Sequence, residues 1–133
     1  KALMHSIDWL LLSEYKKKDP KITPSFLTKK GYQNESENYY PSQVFMQDAA
    51  GYSNSVPEKI SALGGSVWCP YFKDITRDRL LSARENNLIV VVWTLNELDD
   101  IDAMIELGVD AIVTDYPLRV MSALIAREKH WQD

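Results

Sequence analysis

Residues Ile89 to Thr94 read Ile-Val-Val-Val-Trp-Thr, with no charged or turn-forming residue among them. A continuous β-branched run of this kind suits a strand buried on both faces. A second run, Ala111-Ile112-Val113-Thr114, follows after one helix-length segment. That segment starts at Asn96, a helix N-cap by residue type, with Glu97, Asp99 and Asp100 in the first turn, where carboxylates complement the helix dipole. Ile101, Met104, Ile105 and Gly108 recur at helical spacing, and Gly108 suits the left-handed residue that ends a helix. Strand, helix and buried strand in succession imply a parallel pair with a crossover, which confines the chain to the α/β class.

The pattern extends in both directions. Pro117 opens a helix in which Val120, Met121, Leu124 and Ile125 make the expected buried stripe. Upstream, Thr76 caps a helix ending near Asn86-Asn87, and Gly65 to Cys69 is a strand stopped by Pro70. Ser55 with Glu58 three residues later is a capping-box pattern for a short helix. Ile22 to Thr28 holds a strand containing Pro24, and Asp8 to Lys18 is a helix with Leu10, Leu11, Leu12 and Tyr15 on or near its buried face. Ala2 to His5 is the first strand. The expected fold is therefore five parallel strands with outer helices, in one domain over residues 1–133. The stretch 29–54 breaks the alternation and reads as an inserted loop carrying Tyr32, Tyr39, Tyr40, Phe45 and Tyr52. A lid over a site and a packed surface excursion both fit it.

Composition excludes several classes. With 15 basic and 19 acidic residues the chain has a formal net charge of −4, which is not the footprint of a nucleic-acid binder. The longest apolar run, Leu88 to Trp93, is far short of the ~20 residues that span a bilayer. Cys69 is the single cysteine, so no disulfide forms within the chain. A soluble protein of cytoplasm or periplasm is expected. The chain starts at Lys1 inside an apolar stretch and reads as a piece of something longer.

Two signatures now stand one helix apart. Val92-Trp93-Thr94-Leu95-Asn96 resembles the V-W-T-V-N strand end of the glycerophosphodiester phosphodiesterases. Gly108-Val109-Asp110-Ala111-Ile112-Val113-Thr114-Asp115-Tyr116-Pro117 resembles that family's G-V-D-G-I-I-T-D-Y-P. Looser matches are His5-Ser6-Ile7-Asp8, similar to an S-F-D strand end, and Val67-Trp68-Cys69-Pro70, similar to a strand ending in N-P. The resemblance implies a partial (β/α)8 TIM barrel in which this chain supplies strands four to eight. It implies that the full-length protein hydrolyses glycerophosphodiesters to glycerol 3-phosphate and an alcohol. Two histidines would act as acid and base, and carboxylates would hold Mg²⁺ or Ca²⁺. The family's catalytic motifs, His-Arg-Gly, Glu-x-Asp, His-Asp and Glu-x-Lys, belong to the first three strands.

The residues agree with that division of labour. Barrel chemistry gathers at the C-terminal ends of strands, here His5-Ser6, Leu27-Thr28, Cys69-Pro70, Trp93-Thr94 and Thr114-Asp115. Those ends offer one carboxylate and no histidine pair, so no catalytic residue and no metal ligand is expected in this chain. Trp93 is the expected substrate wall, its family counterpart contacting glycerol. Ser6, His5 and Phe26 are further candidate substrate contacts, with a structural histidine and core packing as the competing readings. Asn96 and Asp115 are expected to cap helices or to support the site. The expected partners are a glycerophosphodiester and either the missing N-terminal barrel segment or a second copy. A non-enzymatic (β/α)5 binding or oligomerisation module, and a different TIM-barrel enzyme, stay open.

Overall fold

The computed structural model describes residues 3–6, 9–29 and 55–132, with side chains for 12, 14–29 and 56–128. In chain order its elements are β1 (Leu3–Ser6), α1 (Trp9–Lys18), β2 (Thr23–Thr28), α2 (Ser55–Ala62), β3 (Val67–Pro70), a 3-10 turn (Phe72–Asp74), α3 (Arg77–Glu85), β4 (Ile89–Val92), α4 (Leu98–Leu107), β5 (Ala111–Ile112) and α5 (Pro117–Gln132). The five strands form one sheet in the order β1-β2-β3-β4-β5, and every pair is parallel. This is the expected arrangement. The inserted loop lies, from residue 30 onward, outside the described residues.

Strand alternation divides the side chains between two faces. Phe26, Trp68, Val90, Val92 and Ile112 face the helices and join Leu12, Val56, Ile60, Leu80, Ala83 and Ile101 in one core. The buried Trp68 indole N–H donates to Thr28 Oγ1 at 2.9 Å, which satisfies both groups in that layer. Gly65 permits close contact there, because a Cβ at this position would lie 2.5 Å from Phe26 Cε2 and 2.6 Å from Ile60 Cγ2. The opposite face carries Ser25, Leu27, Val67, Cys69, Val91, Trp93 and Val113. It is buried at Ser25, Val67 and Cys69 but opens at Ile89 and Val113, which are 50% and 39% exposed.

The N-terminal end of the β4–β5 pair is clamped by one arginine. Arg84 of α3 pairs with the Asp110 carboxylate and donates to the Gly108 carbonyl at 2.8 Å, while Asp110 Oδ2 accepts from the Val90 N–H at 2.7 Å. Gly108 ends α4 at φ 92°, the left-handed cap expected from its residue type. Thr76 Oγ1 accepts from Arg79 N and caps α3, also as expected.

Several expectations are corrected. Pro24 lies inside β2 as expected, but Pro70 is the last residue of β3 rather than a stop before it. Tyr15 is 42% exposed, so Leu12 carries the described burial of α1, while the side chains of Leu10 and Leu11 lie outside the described set. On α5, Val120 and Ala123 pack against the core, whereas Met121, Leu124 and Ile125 are exposed. This helix leans on α4, with Arg127 donating to Glu106 Oε2 at 2.7 Å and to the Asp102 carbonyl at 3.1 Å, and so its far side faces solvent.

Candidate functional site

The C-terminal strand ends lie together because the strands are parallel and in sequential order. At this rim the exits of β2, β3 and β4 are stitched to one another. Tyr71 N donates to the Thr28 carbonyl at 2.8 Å, Phe72 N to the Trp93 carbonyl at 3.0 Å, and Trp93 N to the Pro70 carbonyl at 3.3 Å. The indole N–H of Trp93 donates to the Cys69 carbonyl at 2.8 Å, which fixes the ring against β3. Trp93 remains half-buried, and with Leu27, Cys69, Thr94 and Val113 it lines a small, mostly apolar cavity of about 150 Å³. Tyr71 adds a second ring, 5.3 Å from Trp93 between centroids, and Phe72 stands 5.0 Å from Tyr71.

A polar latch joins the β4 and β5 exits. Asn96 Nδ2 donates to Asp115 Oδ2 at 2.9 Å, and Asn96 Oδ1 accepts from Asp115 N at 3.0 Å and from Thr114 Oγ1 at 3.3 Å. Arg119 reaches back from α5 to the Asn96 carbonyl at 2.7 Å. The expectation that Asn96 caps α4 is corrected, since the cap position is Glu97, without a side-chain bond. All the side-chain capacity of Asn96 that is seen goes across to the next strand's exit. Thr114 Oγ1, meanwhile, accepts from Tyr116 N at 3.0 Å at the start of α5.

Phe26 is also corrected. It is 1% exposed and packs between sheet and helices near Gly65, because alternation turns its neighbours Ser25 and Leu27 to the other face. The backbones of His5 and Ser6 belong to β1, paired with Ser25 and Phe26, and their side chains lie outside the described set. The rim residues that the sequence reading did not weigh are Thr94, Thr114 and Lys29. Lys29 follows β2 directly, and its ammonium sits 4.8 Å over the Tyr71 ring.

Burial pushes the Cys69 thiol up from 9.0 to about 11, and the neighbouring Ser25 hydroxyl opposes this only weakly. Ser25 Oγ makes no geometrically sound hydrogen bond, so the effect of desolvation dominates. Such a thiol is a poor nucleophile. Among the described residues, no three His, Cys, Asp or Glu side chains come together to hold a metal ion. What the arrangement supplies is a rigid, part-aromatic wall held by strand-to-strand bonds.

Residues 1–119 match the sequence profile of the glycerophosphoryl diester phosphodiesterase family. The comparison with curated proteins returned no match. A solved structure from Silicibacter pomeroyi DSS-3, provisionally assigned as a glycerophosphoryl diester phosphodiesterase, is 35% identical and superposes with a TM-score of 0.73 over 95% of this chain and 38% of its own. A phosphodiesterase of Oleispira antarctica, in complex with the product sn-glycerol-3-phosphate, is 16% identical, with a TM-score of 0.69 over 92% of this chain and 41% of its own. A glycerophosphodiester phosphodiesterase of Parabacteroides distasonis is 21% identical, with a TM-score of 0.67 over 93% of this chain and 43% of its own. The two more distant likenesses bear on the fold, which is a partial TIM barrel. The chain thus spans about two-fifths of the length of the structures it matches.

Proposed function

The chain belongs to the glycerophosphoryl diester phosphodiesterase family, and from that premise we propose that it forms the C-terminal, substrate-facing part of a barrel that hydrolyses glycerophosphodiesters to glycerol 3-phosphate and an alcohol. The observation that carries the reading is Trp93, held at the strand-end rim by its bond to the Cys69 carbonyl and presenting a ring to the cavity. Water adding to phosphorus expels the alkoxide, which must gain a proton, so the reaction needs an acid and a base. In the proposed assignment these are histidines of the N-terminal part, where carboxylates also hold Mg²⁺ or Ca²⁺, and no step is assigned to a metal within this chain. The chain's own residues bind and orient. Trp93 walls the glycerol, and the Asn96–Asp115 latch holds the β4 and β5 exits in register.

The test compares this chain with the complete barrel that contains it. The 133-residue chain alone should not turn over glycerophosphocholine or bis-nitrophenyl phosphate with added Mg²⁺ or Ca²⁺. The complete barrel should, and Trp93→Ala there should raise KM by roughly tenfold while lowering kcat less, as removal of a binding contact does. Chelator-sensitive turnover by the mass-verified chain alone would overturn the division of labour. A non-enzymatic binding module is the second reading, favoured by the exposed Ile89 and Val113. It predicts no turnover even from the complete barrel.

A further inference from the structure

The aromatic rings at the rim carry their own cations. Tyr71, Phe72 and Trp93 form a continuous cluster, with centroid separations of 5.0 and 5.3 Å. Lys29 Nζ stands 4.8 Å from the Tyr71 centroid, and Lys73 Nζ stands 5.8 Å from that of Phe72. Clustered tyrosine, tryptophan and phenylalanine faces are the usual seat of a quaternary ammonium group, because the ring quadrupole attracts a weakly hydrated cation. Here two of the three rings already hold an ammonium from the chain itself. Backbone bonds fix the cluster in place: Tyr71 N is tied to the exit of β2 and Phe72 N to Trp93. Lys29 is the residue that directly follows that β2 exit.

We infer that Lys29, seated on Tyr71 beside Trp93, is a specificity-determining residue that turns the rim against diesters bearing a quaternary ammonium and towards those whose alcohol is uncharged or anionic. The inference rests on the proposed phosphodiesterase reading. A trimethylammonium group leaning over this rim must displace a like charge before it can reach the Tyr71 face. A polyol or an anionic headgroup meets no such repulsion. This difference changes the relative rates of two substrates and does not require Lys29 to touch the reacting phosphorus.

The readout is the ratio of kcat/KM for glycerophosphoglycerol to that for glycerophosphocholine, measured with the complete barrel. Wild type should favour the glycerol ester. Lys29→Met, which keeps the stem and removes the charge, should shift the ratio towards the choline ester by roughly three- to tenfold, in line with one cation–π contact. Lys29→Arg should leave the ratio near that of wild type. Adding Tyr71→Leu to Lys29→Met should cancel the gain, because the vacated seat then lacks its ring. A variant that merely folds less well loses both activities together and leaves the ratio in place. An unchanged ratio in Lys29→Met, with both esters still hydrolysed, overturns this inference while leaving the phosphodiesterase reading intact. Hydrolysis of neither ester by wild type overturns the reading and this inference with it.

Discussion

Cys69 shows how one side chain's surroundings set its chemistry. It lies one residue before the end of β3, only 1% exposed, with its backbone carbonyl taken by the Trp93 indole. Burial penalises the thiolate, and so the folded state holds the thiol proton up to about 11, against 9.0 for the unperturbed group. Below pH 9 the thiol is protonated whether the chain is folded or unfolded, and it contributes no pH dependence. Between those two values the unfolded chain releases the proton and the folded chain keeps it. The folded state therefore binds more protons, and stability falls as pH rises. Urea unfolding of wild type and Cys69→Ala, followed from pH 8 to pH 11, isolates the contribution of this thiol. Wild type should lose more stability than the variant over that interval. A gap that stays constant with pH would show that the thiol is not desolvated.

Elements depend on a few such contacts, and Gly65 is the tightest of them. It sits between α2 and β3, where an added Cβ would meet Phe26, the Ile60 side chain and, at 3.0 Å, the Ile60 carbonyl. Neither the Phe26 ring nor the helix backbone has room to yield, since Phe26 and Ile60 are both fully buried. Gly65→Ala should cost about 1–3 kcal/mol by overpacking, read as a lowered urea midpoint at unchanged slope. Gly108→Ala meets no atom within 4 Å and should cost only the left-handed strain, about 1 kcal/mol. Equal losses in the two variants would refute the packing argument. The same elements show what a sequence exposes. β4, α4, β5 and the Gly108 cap were legible because uninterrupted β-branched runs and a positive-φ glycine are local signals. The place of Trp93 at a strand end was legible for the same reason. Which face Phe26 takes was not, because β2 mixes polar and apolar residues and is buried on both sides, so register decides between them. The cross-strand use of Asn96 was also hidden, since its partners lie 18 and 19 residues away. Met121, Leu124 and Ile125 repeat at helical spacing, but a repeat cannot say whether a neighbour is present to cover it.

At the scale of the molecule, the sheet of the described residues has two edges, β1 and β5, where a closed barrel has none. The side near β5 is open. Ile89 and Val113 show half or nearly half of their surface on the sheet face, and Met121, Leu124 and Ile125 do so on α5. Full burial of one such side chain is worth roughly 1.5–3 kcal/mol, so a half-covered one forgoes about half of that, and five together approach the lower end of the ~5–15 kcal/mol by which a whole domain is stable. A chain with this balance gains more from a partner than from standing alone. We therefore expect it to associate, either with an N-terminal barrel segment that covers the β5 side or with a second copy across the open face. Sedimentation together with intact mass separates the two cases: a heavier particle containing only the 15.3 kDa chain is the homodimer, and one with a second, different mass is the completed barrel. In either assembly Met121→Lys on α5 should weaken association, because an ammonium would replace an apolar contact at the junction. A monomer of 15.3 kDa that melts cooperatively, with no companion fragment, would defeat this expectation, since its exposed faces would then cost the fold less than their area implies.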